Sequence, residues 1–140
     1  MSELTYSGRY GVTAGDYAAA GEISANIKQV LKKIGFEPQL IRKVSIAAYE
    51  AELNMVIHSL GGEMTLLIYP DTIRLTCADR GPGIEDIDLA MKEGYSTAPD
   101  SVRMMGFGAG MGLPNIKKNA DSFRIESSPS GTALEMEFNI

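Results

Sequence analysis

Apolar and polar residues alternate from Leu4 to Val12 around Tyr6 and Tyr10, the period of a strand with one covered face. The period then lengthens. Ile23, Ile27, Val30, Leu31 and Ile34 recur at steps of three and four, which predicts a helix capped by Thr13 or Asp16 and stopped at Gly35. Pro38 suits the first turn of a second helix running to about Leu60, with Ile41, Val44, Ala48, Ala51 and Val56 on its core face and Gly61-Gly62 ending it. Glu63–Tyr69 and Ile73–Ala78 read as strands joined by a Pro70-Asp71 turn. From Gly81 to about Gly110 glycine, proline and polar residues dominate, with one short helix near Ile87–Glu93; a connection of that length predicts a functional lid. Helix resumes at about Met111–Asn119, and Ser122–Ser127 with Thr132–Asn139 predict a hairpin around Pro129-Ser130-Gly131. The order predicts one α/β (α+β) domain over residues 1–140, a two-layer sandwich with helices on one face of a mixed β-sheet.

Composition narrows the classes. A 140-residue chain that is 44% hydrophobic is long enough for one real core. No apolar run reaches the roughly 18–20 residues that span a bilayer, and the N-terminus lacks a basic region followed by an apolar block, so no membrane span or signal peptide is expected. The single cysteine, Cys77, reads as a strand-core residue and suits a reducing, cytoplasmic setting. A formal net charge of −5 argues against a nucleic-acid partner held through phosphate neutralisation. It is compatible with a nucleotide, because a phosphate site needs local donors and a metal rather than a positive molecule.

Four groups carry the candidate chemistry. Glu50 and Asn54 lie one turn apart on one face of the second helix. An Asn oxygen is a fit ligand for Mg²⁺, and a carboxylate one turn away can hold a metal-bound water or take a proton from an attacking hydroxyl. Glu52 points roughly 200° from Glu50 on the helix wheel and reads as solvated. Asp79 ends an apolar strand, where a carboxylate needs donors such as an adenine amino group, and Gly81 and Gly83 let the backbone approach a flat ring. Gly106, Gly108, Gly110 and Gly112 alternate into a helix, a pattern that offers backbone N–H groups and a helix N-terminus to phosphate. It is not a Walker loop, because no Gly-Lys-Ser/Thr follows, and it lacks the dinucleotide spacing. Thr132 begins the last strand, where its hydroxyl could sit beside the base. His58, the sole histidine, reads as a hydrogen-bonded helix-end residue and not as part of a zinc site. Ser96, Thr97 and Arg103 read as loop residues, and Met104, Met105 and Met111 as adaptable packing around the glycine loop.

In this order the motifs resemble the N box and the three glycine boxes of the Bergerat-fold (GHKL) ATPase superfamily. The resemblance covers nearly the whole chain, and the small anti-sigma-factor and stressosome-type serine protein kinases are the most similar branch. It rests on Glu50-Ala51-x-x-Asn54 with His58, Asp79-x-Gly81-x-Gly83-Ile84, Gly94-Tyr95-Ser96-Thr97 and Gly108-Ala109-Gly110-Met111-Gly112. It implies Glu50 as general base and Asn54 as the Mg²⁺ ligand. It also implies Asp79 as the acceptor for adenine, with Gly81, Gly83, Gly108, Ala109, Gly110, Met111, Gly112 and Thr132 around ATP or ADP. The implied reaction is transfer of the γ-phosphoryl group to serine or threonine of a small STAS-type antagonist or stressosome scaffold protein, with a sigma factor or phosphatase as further partner. A homodimer through the first strand and helix is left open. The alternative is a nucleotide-gated binding module that sequesters a sigma factor or activates a partner without phosphoryl transfer. Met55 departs from the pattern by standing where the family usually has a small Ala.

Overall fold

The computed structural model describes residues 3–81, 87, 91 and 112–140. Among the described residues, five strands and three helices with both ends described follow in the order β1 (Tyr6–Val12), α1 (Glu22–Ile34), α2 (Pro38–His58), β2 (Gly62–Ile68), β3 (Thr72–Asp79), α3 (Gly112–Asn119), β4 (Ser122–Ser128) and β5 (Gly131–Asn139). The strands form one sheet in the order β1-β2-β3-β5-β4. The expected two-layer sandwich is present, but among the described residues every neighbouring pair of strands is antiparallel, where a mixed sheet was expected. β3 and β4, which the long connection joins, do run the same way, yet β5 inserts between them and pairs antiparallel with both.

One face of the sheet is apolar because alternate residues of each strand point to it. Leu66, Leu75 and Met136 stand abreast on β2, β3 and β5, as do Met64, Cys77 and Leu134, then Ile68, Ile73 and Phe138. All nine are buried. The helices close over them with Ile27 and Leu31 of α1, Val44, Ala47, Ala48 and Ala51 of α2, and Leu113 and Ile116 of α3. The small residues of α2 let it lie between α1 and α3, in contact with both. The opposite sheet face is polar: Arg9 pairs with Glu63 at 2.9 Å, and Arg74 stands 3.6 Å from both Glu135 and Glu137 with its guanidinium over the Tyr69 ring.

The expected helix boundaries hold at Gly35 and Pro38. The start of α1 does not, because residues 13–20 form turns and Gly21 adopts a left-handed conformation (φ +99°) that a helix cannot continue through. Gly21 has no side chain with which to cap α1. The cap comes instead from Glu52, one face of α2 away. Its Oε2 accepts the N–H groups of Gly21 at 2.9 Å and Ile23 at 3.3 Å, and its Oε1 accepts that of Ser24 at 3.0 Å. Glu52 is therefore not solvated: only 2% of it is exposed. The carboxylate satisfies orphan donors and meets the positive end of the α1 dipole. Of the short helix expected near Ile87–Glu93, Ile87 is helical and accepts a hydrogen bond from the Met91 N–H at 3.0 Å; the rest lies outside the described residues.

Candidate functional site

The last turns of α2 are tied to the end of β3. The Leu60 N–H donates to the Arg80 carbonyl at 3.1 Å, the Arg80 N–H to the Gly61 carbonyl at 2.9 Å, and the Arg80 guanidinium to the Leu60 carbonyl at 3.1 Å. Gly62 pairs with Asp79, and a Cβ on Gly62 would meet both the Ala78 carbonyl and, at 2.8 Å, Met55 Cε. The Met55 side chain, longer than the family's usual Ala, thus fills the space above the strand start beside Asp79. Asn54, its neighbour, faces α3. A Cβ built on Gly112 would stand 2.9 Å from Asn54 Oδ1 and 3.2 Å from Nδ2, so the carboxamide occupies the space that only glycine leaves open there. One turn earlier, Glu50 Oε1 accepts a long 3.5 Å hydrogen bond from Asn115 Nδ2. Asn115 was not singled out in the sequence; its place one turn after Gly112 on α3 was the available signal.

At the other side of the site, Asp79 Oδ1 accepts the Thr132 N–H at 2.9 Å. Gly81 donates its N–H to the Ser130 carbonyl at 2.7 Å, and a Cβ there would run into the Pro129 carbonyl. Gly131 is packed equally tightly on the Asp79 carbonyl. Gly81 is thus required by the chain's own β4–β5 turn, a second demand on the position beside the expected approach of a flat ring. The Thr132 hydroxyl shares a 2.9 Å hydrogen bond with Ser127 Oγ, and its backbone N–H reaches Asp79.

Electrostatics match this geometry. Burial raises the Glu50 carboxyl above the ordinary carboxylate range, with the Asn115 hydrogen bond opposing it. Burial raises Asp79 as well, opposed by the Thr132 N–H. His58, the last residue of α2, is half-buried, and burial pushes its imidazole down, so it is neutral at pH 7.

The donor set suits a nucleotide and a hard cation. Among the described residues the half-buried Asn54 carboxamide makes no hydrogen bond, and Asp79 keeps Oδ2 without a donor. One is an oxygen ligand, the other an acceptor at the end of a strand. Gly83, Gly108, Ala109, Gly110 and Met111 lie outside the described residues, as do Ser96, Thr97, Arg103, Met104 and Met105.

Residues 13–138 match the histidine kinase-like ATPase domain family, and the chain belongs to that family. Within it the relatives are kinases and anti-sigma factors. The chain is 28% identical over 129 residues to serine/threonine-protein kinase RsbT of Bacillus subtilis, covering 89% of each chain. It is 33% identical over 103 residues to the anti-sigma F factor of Clostridium acetobutylicum, covering 69% of this chain and 68% of that one. Both the superfamily and the branch expected from the motif order are therefore borne out. The fold is shared with the RsbU and RsbW domains of Rv1364c from Mycobacterium tuberculosis (TM-score 0.62, 18% identity), over 94% of this chain and 32% of that one. It is also shared with a chain of the SiaB-SiaC complex from Pseudomonas aeruginosa (TM-score 0.57, 11% identity), over 96% and 89%. Among the described residues no helix is long and apolar enough to cross a membrane.

Proposed function

We propose that the chain is an ATP- and Mg²⁺-dependent serine/threonine protein kinase of a partner-switching pathway, with a small STAS-type antagonist protein as substrate. The observation that carries this reading is the Asn54 carboxamide, lodged against Gly112 without a protein partner among the described residues, one helical turn from the desolvated carboxylate of Glu50. Asn54 would hold the Mg²⁺, which would supply charge neutralisation to the phosphates. Asp79 Oδ2 would accept the adenine amino group, while Thr132 keeps Oδ1 fixed. The N-terminus of α3 would face the phosphates.

Glu50 acts on the acceptor. It takes the proton of the serine or threonine hydroxyl as the oxygen forms its new bond to the γ-phosphorus. The bond to the bridging oxygen breaks, and its electron pair leaves with ADP. A carboxyl raised by burial is a better proton acceptor than a solvated one. The anti-sigma relatives support a second partner, a sigma factor.

The test is phosphate transfer from labelled ATP to a purified STAS-type protein by the parent chain and by Glu50→Gln. The variant is expected to lose on the order of 10²–10⁴-fold in rate with nucleotide affinity retained. Undiminished transfer would remove Glu50 as the base. A parent chain that binds ATP and transfers nothing would be the nucleotide-gated binding module instead.

A further inference from the structure

The residues between Lys28 and Lys43 carry five basic side chains and one acidic one, a local charge of +4 in a chain whose total is −5. Three of those cations, Lys28 and Lys32 on α1 and Arg42 on α2, line one groove of about 810 Å³ between the two helices. Lys28 and Lys32 are one turn apart, so they stand on one face. All three are exposed, and none forms an ion pair among the described residues. The floor is apolar: Phe36 and Ile41 belong to the core margin, while Tyr49, at 38%, is among the most exposed large apolar side chains. Glu50 is among the residues that line the groove.

We propose that this groove docks an acidic segment of the protein substrate and so delivers the acceptor hydroxyl to Glu50. The inference rests on the kinase reading above for what happens at Glu50. Two observations select the occupant. The groove gathers unpaired positive charge on a negative molecule, so it attracts carboxylates and orients whatever carries them. Glu50, the residue that would take the hydroxyl proton, is also among those that line it, so a segment seated along the groove reaches the residue that carries the chemistry. Phe36, Ile41 and Tyr49 would cover an apolar residue of that segment, excluding water around the charge pairs. Nucleic acid fits less well, because a backbone lying along the groove would bring a phosphate against Glu50.

Two variants test this, Lys28→Glu/Lys32→Glu/Arg42→Glu and the milder Lys28→Gln/Lys32→Gln/Arg42→Gln. The probe is the STAS-type protein of the preceding test, fluorescently labelled, with binding read by anisotropy in ADP and Mg²⁺ and transfer read as KM and kcat. The charge-reversed variant is expected to raise both Kd and KM by about tenfold or more, with kcat held within about twofold. The Gln variant should show a smaller rise in the same direction, and salt should weaken binding to the parent more than to either variant. Nucleotide affinity and Tm should match the parent. Unchanged Kd and KM in both variants would overturn the docking site, as would a parent chain that does not bind the probe. So would a 20-mer oligonucleotide that binds the parent through these residues while STAS binding ignores them, or variants that change only self-association. Weakened binding without any transfer by the parent would keep the docking surface and sink the kinase reading, so the two failures are separable.

Discussion

Asn54 Oδ1 lies where a side chain on Gly112 would begin, 2.9 Å from its ideal Cβ position. Gly112→Ala therefore meets the end of a flexible side chain and not a backbone atom. At the first position of α3 an Ala is tolerated as well as a Gly. We expect Tm to hold or rise while Mg²⁺-dependent nucleotide affinity falls about tenfold. Thermal unfolding beside a fluorescent-ATP titration, with and without Mg²⁺, reads both quantities, and unaltered affinity would show that the Asn54 position does not matter to the ligand.

Asn54→Ala tests the same carboxamide from the other side. Affinity measured in EDTA should match the parent, while the gain on adding Mg²⁺ should disappear. Equal Mg²⁺ responses in parent and variant would take the metal away from Asn54.

Glu52 caps α1 from a distance, so its loss should be structural. Glu52→Ala leaves three N–H groups at the start of α1 without an acceptor. The cost should be roughly 2–3 kcal/mol, read as a lower urea midpoint with little change in slope. Glu52→Gln, which keeps one carbonyl oxygen, should cost about half as much. An Ala variant as stable as the parent would mean that water replaces the cap without loss.

Glu50 predicts a particular pH dependence. Its folded-state carboxyl is raised by burial, so the folded chain binds a proton more readily than the unfolded chain. That contribution to stability is complete below the ordinary carboxylate value and is lost as pH rises through the raised one. Glu50→Gln removes the loss, so the Tm difference, variant minus parent, should grow from acid toward neutral pH. Transfer by the parent should fall on an acid limb placed above the ordinary carboxylate range. A Tm difference that is flat with pH would contradict the desolvated environment.

Gly81→Ala should act on the fold and the site together. Its Cβ would strike the Pro129 carbonyl, which is backbone, and displace the turn that places Thr132 against Asp79. We expect a loss of about 2–3 kcal/mol and weaker nucleotide binding, both visible in one ligand-dependent thermal shift series.

Most of the fold was legible because its signals are local. Alternation around Tyr6 and Tyr10 placed β1, the Pro70-Asp71 turn placed β2 and β3, and Gly35 and Pro38 marked helix boundaries that hold. What escaped depends on neighbours distant in the chain. A helix wheel set Glu52 opposite Glu50, but whether that face meets water or another helix is decided by where α1 packs. The missing clue was that α1 begins at a glycine with no side chain to cap it. The antiparallel sheet escaped for a related reason, since β5 comes last in the chain yet pairs between β3 and β4. For Gly81 and Thr132 the intramolecular contacts were not legible, because the β4–β5 turn that each of them meets lies far from Asp79 in the chain.

Cys77 stands between Met64 and Leu134, only 3% exposed, its thiol pushed up to about 12 by burial and then by the Asp79 charge. A sulfur so placed ignores alkylating reagents until β3 leaves the layer beneath the helices. The chain thereby carries its own internal clock: the rate at which its single thiol is trapped reports how often the central strand comes loose, and a bound nucleotide should slow that clock.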